Sequence, residues 1–238
     1  MAPTALITGA SGGIGAATAR DLGRDHDVLV HYHSDREAAE AVADDVAGGG
    51  REAVVHGCDV SDPDAVAAMV ERADADLGGV DVLVNNAAVF YQTALTDATV
   101  EAIQRTLRVN LEGAAYCTRA VLPGMVDRGR GRIVNVSSTA GVHGSPTDPA
   151  YGASKGGLLG FTRSLAKQYT ADGILTNAVA PGPTDTEMLP SERKELARET
   201  IPLGKLATPE EVAEAVRYCL NTSVVTGQVF DVHGGLYT

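Results

Sequence analysis

Thr8-Gly9-Ala10-Ser11-Gly12-Gly13-Ile14-Gly15 is the stretch that decides the fold. It lies between an apolar run at residues 5–8 and a helical pattern over residues 14–22. A glycine turn between a strand and a helix leaves backbone N–H groups free beside the positive end of the helix dipole, where phosphate binds. The spacing Gly-x-x-x-Gly-x-Gly also fits a turn that merely needs small residues. Its place after the first strand favours a βαβ unit that binds a dinucleotide phosphate.

Outward from this turn, short apolar runs alternate with helical patterns. Near-continuous apolar strands separated by helices are typical of a parallel sheet covered on both faces. The sequence therefore predicts one α/β domain over residues 1–238, a doubly wound Rossmann-type fold with a seven-stranded parallel sheet flanked by helices. The predicted strands are 5–8, 28–33, 53–58, 80–84, 133–136, 174–180 and 229–232, and the predicted helices are 14–22, 34–46 (capped by Ser34 or Asp35), 61–77, 96–125, 151–169, 192–199 and 209–220.

Composition excludes several classes of protein. The chain has 238 residues, 44% of them apolar and 21% charged, which argues against wholesale disorder. Its net charge of −12 argues against binding to nucleic acid or to a membrane surface, since both recruit Lys and Arg. No segment approaches the roughly 20 apolar residues that span a bilayer, and the first residues lack the basic region of a signal peptide. Cys58, Cys117 and Cys219 are widely spaced, so we expect free thiols in a reducing cytoplasm.

Polar residues follow two of the predicted strands. The carboxyl ends of parallel strands line the ligand crevice, so Asp59, followed by Val60, could bond an adenine amino group. An aspartate that only starts a helix is the alternative. Asn86 and Ala87 follow the next strand, where an amide can face a ligand or simply form an Asx turn.

A proton-transfer group is predicted around Tyr151 and Lys155, which are four residues apart and so share one face of a helix. A fixed ammonium is expected to lower the pKa of the phenol, which could then exchange a proton with a ketone or carbinol oxygen. A solvated helix face is the alternative. Ser138, at the end of the fifth strand, could bond the reacting oxygen, and Asn110 is a poor interior helix residue that we expect to act through side-chain contacts.

Together these motifs, in their order and spacing, resemble the short-chain dehydrogenase/reductase family, most of all its 3-oxoacyl-acyl-carrier-protein reductases. The resemblance implies that Tyr151 is the acid–base residue, that Lys155 lowers its pKa and binds the nicotinamide ribose, that Ser138 polarises the carbonyl and that Asn110 supports a relay water. Ala88, where many members have glycine, and a short segment 221–226 depart from the family pattern. The implied cofactor contacts are Gly9, Ser11, Gly13, Ile14, Gly15, Ser34, Arg36, Asp59, Val60, Asn86, Ala87, Tyr151, Lys155, Pro181, Gly182, Thr184 and Thr186.

The choice of nicotinamide cofactor depends on the end of the second strand. A carboxylate there would bond the ribose hydroxyl of NAD, but the strand ends without an acid at its tip. Ser34 and Arg36 could hold a phosphate, which favours NADP(H) over NAD(H), whereas Gly12 and Asp35 argue the other way. Arg36 could equally be a solvated charge. His31 and His33 share a strand face without a third ligand, so no metal site is predicted.

Substrate specificity is expected from the loop 139–150, where His143 is a possible polar contact, and from a lid at about 183–206. The substrate is a small carbonyl or alcohol, or a carrier-bound acyl thioester that basic residues at 128, 130 and 132 could attract. Asp172 and the net charge of −12 weaken the carrier alternative. Small residues on the helix 151–169 would allow close approach of a second copy. Members of the resembled family commonly pair their subunits through this region and form tetramers, so we expect a homotetramer.

Three functions remain open on the sequence alone. The first is an NADP(H)-dependent oxidoreductase that interconverts a ketone and a secondary alcohol. The second is an NAD-dependent alcohol or sugar dehydrogenase. The third is a dinucleotide-binding regulatory protein without turnover, which the intact set of Asn110, Ser138, Tyr151 and Lys155 disfavours.

Overall fold

A computed structural model describes residues 2–237. Seven parallel strands form one sheet in the order β3-β2-β1-β4-β5-β6-β7, which confirms the predicted fold class. The strands are β1 (Thr4–Ile7), β2 (Asp27–Tyr32), β3 (Ala53–Gly57), β4 (Val82–Asn85), β5 (Gly131–Val136), β6 (Ile174–Pro181) and β7 (Val229–Val232). The helices are α1 (Gly13–Leu22), α2 (Arg36–Gly48), α3 (Pro63–Leu77), α4 (Val100–Leu107), α5 (Gly113–Asp127), α6 (Thr139–His143), α7 (Pro149–Tyr169), α8 (Ser191–Thr200) and α9 (Pro209–Leu220).

The two faces of the sheet bury separate apolar clusters because side chains alternate along each strand. Leu6 stands in register with Leu29 on one side and Leu83 on the other, and Leu83 pairs with Ile133. This row packs with side chains of α3 and α5. Ala5 and Ile7 point to the opposite face, where α1, α2 and α9 complete the other cluster. Strands buried on both faces explain the near-continuous apolar runs in the sequence.

Capping side chains define where several helices begin. The Asp35 carboxylate accepts from Ala38 N and starts α2 at Arg36, which decides between the two predicted caps. Asp62 caps α3 and Asp148 caps α7, in each case just before a proline in the first turn. The predicted start at residue 61 lies two residues before α3, and the predicted start at residue 151 lies two residues inside α7. Both helices begin at a proline because proline lacks the N–H that a first turn leaves unpaired.

The prediction of one continuous helix over residues 96–125 is wrong, because the helix begins later and is interrupted. Residues 94–98 form turns, and α4 begins after the cap Thr99. A π-helical turn at Arg108–Glu112 then separates α4 from α5. The extra residue of such a turn shifts the phase of the side chains, and Asn110 lies inside it. The sequence analysis also missed α6 and the 3₁₀ turn at Thr170–Asp172.

The topology places the functional site. The chain winds outward from β1 in one direction to β3 and in the other through β4 to β7, so the strand order reverses between β1 and β4. Ligands of doubly wound sheets bind beyond the carboxyl ends of the strands at such a reversal. Over residues 2–237, no helix has the length and apolarity needed to cross a bilayer.

Candidate active site

A cavity of about 1110 Å³ lies beyond the carboxyl ends of the central strands. It extends from the glycine turn to the start of α7, and we call it the cleft. The cleft is lined by most of the predicted site residues, which are Gly9, Ser11, Gly13, Ile14, Ser34, Asp59, Val60, Asn86, Ala87, Ser138, Tyr151, Lys155, Pro181, Gly182, Thr184 and Thr186. Gly15, Arg36 and Asn110 are not among its lining residues.

The glycine turn is shaped by close backbone contacts. A Cβ at position 15 would lie 2.1 Å from the Gly9 carbonyl oxygen, so only glycine fits there. Gly9 has a φ of +65°, which other residues rarely adopt. A Cβ at Gly13 would lie 3.2 Å from the Thr186 methyl group, so the turn and the segment 181–186 face each other across a narrow space. A Cβ at Gly12, by contrast, would meet nothing within 4 Å, so the turn leaves space for a pyrophosphate at the N-terminus of α1.

The Asn86 side chain fixes the glycine turn through its backbone carbonyl groups. Its Nδ2 donates to the carbonyl oxygens of Thr8 and Gly9 at 2.9 and 3.0 Å. The Thr8 hydroxyl in turn accepts from the backbone N–H groups of Asn86 and Ala87. The Asn86 side chain therefore positions the glycine turn, and Asn86 also lines the cleft. The sequence analysis offered a structural role and a place at the ligand site as alternatives, and Asn86 combines the two.

The His31 side chain fixes the same turn through the Gly9 backbone N–H, a role that the sequence analysis missed. Its Nδ1 accepts from Gly9 N at 2.9 Å, and its Nε2 donates to the Cys58 carbonyl at 3.1 Å. This pattern requires the neutral ring, since a protonated ring has no acceptor. Burial lowers the pKa of His31 to about 4, against a weaker opposing effect of the Cys58 carbonyl. The sequence signal for this role is a histidine at the end of the apolar run of β2, the strand next to the glycine turn.

At the end of β3, Asp59 is held by neighbouring side chains. Its Oδ2 accepts from Arg105 Nη1 at 2.6 Å, and its Oδ1 accepts from the N–H and hydroxyl of Ser61. Burial raises the pKa of Asp59, but the hydrogen bonds from Arg105 and Ser61 outweigh it and lower the pKa to about 2. The carboxylate is thus ionised at the cleft wall. Arg105, which also lines the cleft, was not foreseen because it comes from α4, 46 residues away.

At the tip of β2, Ser34 lines the cleft but Arg36 does not. Arg36 Nε donates to Glu40 at 2.7 Å, and its side chain is exposed. Arg20 of α1 also lines the cleft, but it pairs at 2.7 Å with Asp45, which lies in the last turns of α2 and not at its start. His33 also lines the cleft here. His31 and His33 form no metal site, and over residues 2–237 no group of three His, Cys, Asp or Glu side chains is placed to hold a metal ion.

Tyr151 and Ser138 meet at the other end of the cleft. Ser138 caps α6, accepting from Ala140 N at 3.1 Å, and its hydroxyl also hydrogen-bonds Tyr151. Asp148 caps α7 by accepting from Tyr151 N at 3.0 Å, which sets where the phenol leaves the helix. The centre of the Phe90 ring lies 4.8 Å from that of the Tyr151 ring, so the two rings are in contact.

Lys155 is buried one helical turn after Tyr151. Its Nζ donates to the Val136 carbonyl at 2.7 Å and lies 5.8 Å from the centre of the Tyr151 ring. Burial lowers the pKa of Lys155 to about 8. Burial also raises the pKa of Tyr151 to about 12, although the hydrogen bond with Ser138 opposes this shift. The net shift in the pKa of the phenol is upward because burial is its largest cause, and the expectation that the Lys155 ammonium lowers this pKa stays a prediction.

Asn110 acts behind the cleft. Its Oδ1 accepts from Val89 N at 2.8 Å, and its Nδ2 donates to Val89 O at 3.0 Å and to the Ser154 hydroxyl at 3.1 Å. Val89 lines the cleft, and Ser154 donates to the Tyr151 carbonyl at 2.7 Å. The amide therefore joins the loop after β4 to the first turns of α7. Its side chain is a positioning group, and a contact with a relay water remains a prediction.

The segment after β6 closes the cleft from above. Gly182 N donates to Val232 O at 2.9 Å, and the Thr184 hydroxyl donates to Gly182 O at 3.0 Å. Asp185 forms an ion pair of 2.6 Å with Lys194 and so ties this segment to α8. The predicted lid thus contains one exposed helix, α8, anchored at its base.

Comparisons with known proteins agree with this geometry. The model of the family described as short chain dehydrogenase matches residues 3–197. A "3-oxoacyl-[acyl-carrier-protein] reductase" of Synechocystis is 38% identical, covering 99% of this chain and 97% of the relative. A "cis-4-hydroxycyclohexanecarboxylate dehydrogenase" of Sinomonas cyclohexanicum is 41% identical, covering 97% and 95%.

A solved structure has the same fold. "Acetoin dehydrogenase YohF from Salmonella typhimurium" superposes with a TM-score of 0.91 at 32% identity, covering 99% of this chain and 96% of that one. The resemblance read from the sequence is confirmed along nearly the whole chain. The chain belongs to the short-chain dehydrogenase family and is an NAD(P)-dependent oxidoreductase.

Proposed function

We propose that the protein is an NADP(H)-dependent oxidoreductase that interconverts a ketone and a secondary alcohol, with Tyr151 as its acid–base residue. One observation carries this proposal. The Tyr151 hydroxyl is hydrogen-bonded with Ser138 inside the cleft whose other end is the glycine turn, and Lys155 is buried beside it. The machinery for proton transfer therefore shares one cavity with the binding site for a dinucleotide.

The residues of the chain divide the chemistry among them. A bound nicotinamide dinucleotide supplies or accepts the hydride at the carbonyl carbon. Ser138 donates a hydrogen bond to the carbonyl oxygen and stabilises the negative charge that develops there. Tyr151 gives that oxygen its proton, which a phenol with a pKa of about 12 retains until a more basic alkoxide forms. The Lys155 ammonium then stabilises the phenolate.

The cofactor would lie along the cleft with its phosphates on the glycine turn and its nicotinamide beside Tyr151. The proposed contacts are those predicted from the sequence, with Gly15 shaping the turn rather than lining the cleft. Selectivity for NADP(H) is supported by Ser34, which lines the cleft at the tip of β2, and by the use of the Asp35 carboxylate, also at the cleft, as the cap of α2. Arg36 would have to leave Glu40 to contribute.

Steady-state kinetics with NADPH and NADH test the cofactor assignment. We expect a lower KM and a higher kcat/KM with NADPH than with NADH. A clear preference for NADH would reject the assignment and favour the alternative, an NAD-dependent alcohol or sugar dehydrogenase.

The proposed substrate is a small carbonyl or alcohol, and a carrier-bound acyl thioester remains the second candidate because a similar protein is named for it. The chain would act as one catalytic domain with a substrate lid at about 183–206, without nucleic acid or membrane partners. A cytoplasmic location is supported by three free cysteines whose pKa values burial raises.

A homotetramer is proposed on the basis of a groove between α5 and α7. Apolar side chains of both helices line it, among them Leu122, Val126, Phe161 and Leu165. Small residues on α7 allow a second copy to approach closely. Light scattering at micromolar concentration tests this proposal, and a monomer would contradict it.

Tyr151→Phe tests the catalytic role directly. Loss of a positioned acid typically costs about 10²–10⁴-fold in rate, so we expect ketone-dependent NADPH oxidation to fall by that range. NADPH binding, followed by fluorescence, should stay within twofold. Tyr218→Phe is the matched control, since Tyr218 lies on α9 with its ring against Phe230, outside the cleft. Full turnover in Tyr151→Phe would show that the acid–base assignment is wrong, whereas NADPH binding without turnover in the wild type would support a dinucleotide-binding regulatory protein.

A further inference from the structure

Arg193 of the lid helix α8 differs from the other basic residues of the cleft. Arg20, Arg105 and Lys194 each form an ion pair of 2.7 Å or less with an aspartate, and Lys155 belongs to the proton-transfer group. Over residues 2–237, no carboxylate oxygen lies within ion-pair distance of the Arg193 guanidinium. A half-buried guanidinium without a counter-charge is unusual in a chain whose net charge is −12.

Neutral side chains hold this guanidinium over the cleft. The amide oxygen of Gln92, in the orientation that satisfies its hydrogen bonds, accepts from Arg193 Nε at 2.8 Å and Nη2 at 2.9 Å. The Thr147 hydroxyl accepts from Nη1 at 3.4 Å. Arg193 and Thr147 line the same cleft as Tyr151. Three N–H donors are thereby oriented while the positive charge remains uncompensated, which is the arrangement that recognises a carboxylate in bidentate fashion.

The support for Arg193 is built on the catalytic helix. Gln92 has a φ of +56°, which is uncommon for a residue other than glycine. Its backbone N–H donates to Asp148 Oδ2 at 3.1 Å, while Asp148 Oδ1 accepts from Tyr151 N. Asp148 is buried, so both contacts are fixed. The guanidinium and the catalytic phenol are therefore positioned by one aspartate, which suits a substrate that both must contact at once.

On the basis of this geometry, and resting on the proposed function, we infer that Arg193 binds a carboxylate of the substrate, remote from the carbonyl that Tyr151 protonates. The substrate class is thus a small keto acid or hydroxy acid. The guanidinium exchanges its contacts with Gln92 and Thr147 for the carboxylate when the substrate binds.

The test compares matched substrates. We would measure kcat/KM for 4-oxocyclohexanecarboxylate and for its methyl ester with wild-type protein, Arg193→Gln, Arg193→Lys and Arg198→Gln. Arg198 lies on the same helix but outside the cleft, paired with Asp185 at 3.9 Å. We expect Arg193→Gln to lose at least tenfold with the acid and less than twofold with the ester. Arg193→Lys should recover part of the loss, and Arg198→Gln should leave both values unchanged. Equal losses with acid and ester in Arg193→Gln would overturn the inference and leave Arg193 as a tie between loops.

Two further measurements separate this inference from the proposed function. Calorimetric titration of the NADPH-loaded protein with cyclohexanecarboxylate, and with cyclohexanecarboxamide as its neutral counterpart, requires no turnover. Tighter binding of the acid that disappears in Arg193→Gln supports the inference even if no ketone is reduced, and equal binding of acid and amide overturns it. Acetoacetyl-coenzyme A and acetoacetyl-N-acetylcysteamine differ in a phosphate-bearing arm. A selective loss with the former in Arg193→Gln would assign the guanidinium to a thioester carrier's phosphate and overturn the carboxylate assignment.

Discussion

Acidification is predicted to destabilise this protein through a single buried histidine, His31. The neutral ring accepts from Gly9 N and donates to the Cys58 carbonyl, so it links the glycine turn of the cleft to the end of β3. Protonation removes the acceptor and places a charge in a site where burial lowers the pKa from 6.5 to about 4. In the unfolded chain the ring binds its proton already near pH 6.5. Stability is therefore full above about pH 6.5 and falls as the pH drops towards 4, because the unfolded state binds more protons over that interval.

The two pKa values set the size of the effect. Proton linkage between 6.5 and about 4 gives a loss of about 2 kcal/mol in the free energy of unfolding from pH 7.5 to pH 5.0. That is a large part of the roughly 5–15 kcal/mol that stabilises a typical domain. Asp59 and Asp25, whose pKa values are lowered, act in the same direction but mostly at lower pH.

Urea unfolding at pH 7.5 and pH 5.0 measures this loss in wild-type protein, in His31→Asn and in His33→Asn. Asparagine keeps an acceptor for Gly9 but does not titrate, so His31→Asn should show about 2 kcal/mol less pH dependence than the wild type. His33→Asn removes an exposed ring at the same strand end and should behave like the wild type. If His31→Asn loses as much stability as the wild type between the two pH values, the ring does not hold the turn as described.

Two further predictions concern the dinucleotide end and the proton-transfer end of the cleft. Gly15→Ala should weaken NADPH binding at least tenfold in fluorescence titrations and lower the melting temperature, because its Cβ would lie 2.1 Å from the Gly9 carbonyl oxygen. Gly48→Ala, at the open end of α2, should change neither value, and equal effects of the two would refute the steric reason. The kcat/KM for NADPH reports groups of the free enzyme, so it should fall about tenfold per pH unit above pH 8 as Lys155, with a pKa of about 8, loses its proton. A flat profile up to pH 10 would show that the ammonium does not assist cofactor binding.

The fold was largely predictable because its signals are local. Apolar runs such as residues 5–8 and 133–136 mark strands buried on both faces, and the glycine turn marks the first crossover. Asp62 before Pro63 marks the start of α3 by the same short-range chemistry, whereas Asp148 before Pro149 was overlooked and α7 was predicted to begin two residues late. The π-helical turn at Arg108–Glu112 has no such signal, since it depends on Asn110 reaching Val89 in a neighbouring loop.

The site was predictable in its residue types but not in its partners. Tyr151, Lys155 and Ser138 are recognisable by spacing. His31, Arg105 and Arg193 acquire their roles only through residues brought together by the fold, at separations of 22, 46 and 46 residues in the chain. No periodicity carries that information. Motif spacing therefore finds groups that act through neighbours on one helix and misses groups that act across elements.

The order of the pKa values at the catalytic centre bears on the direction of the reaction. Spacing alone suggested a phenolate stabilised by an ammonium, but burial disfavours both charged forms, since it raises the pKa of Tyr151 to about 12 and lowers that of Lys155 to about 8. At neutral pH the phenol therefore holds its proton and Lys155 holds its charge. Such a pair is ready to donate a proton to a developing alkoxide, as ketone reduction requires. Alcohol oxidation instead needs the phenolate as base. Neutral pH lies roughly five units below the pKa of Tyr151, so little phenolate is present there. At neutral pH the resting protein thus holds the protonation state that reduction uses, and oxidation should speed up with rising pH until Lys155 loses its charge.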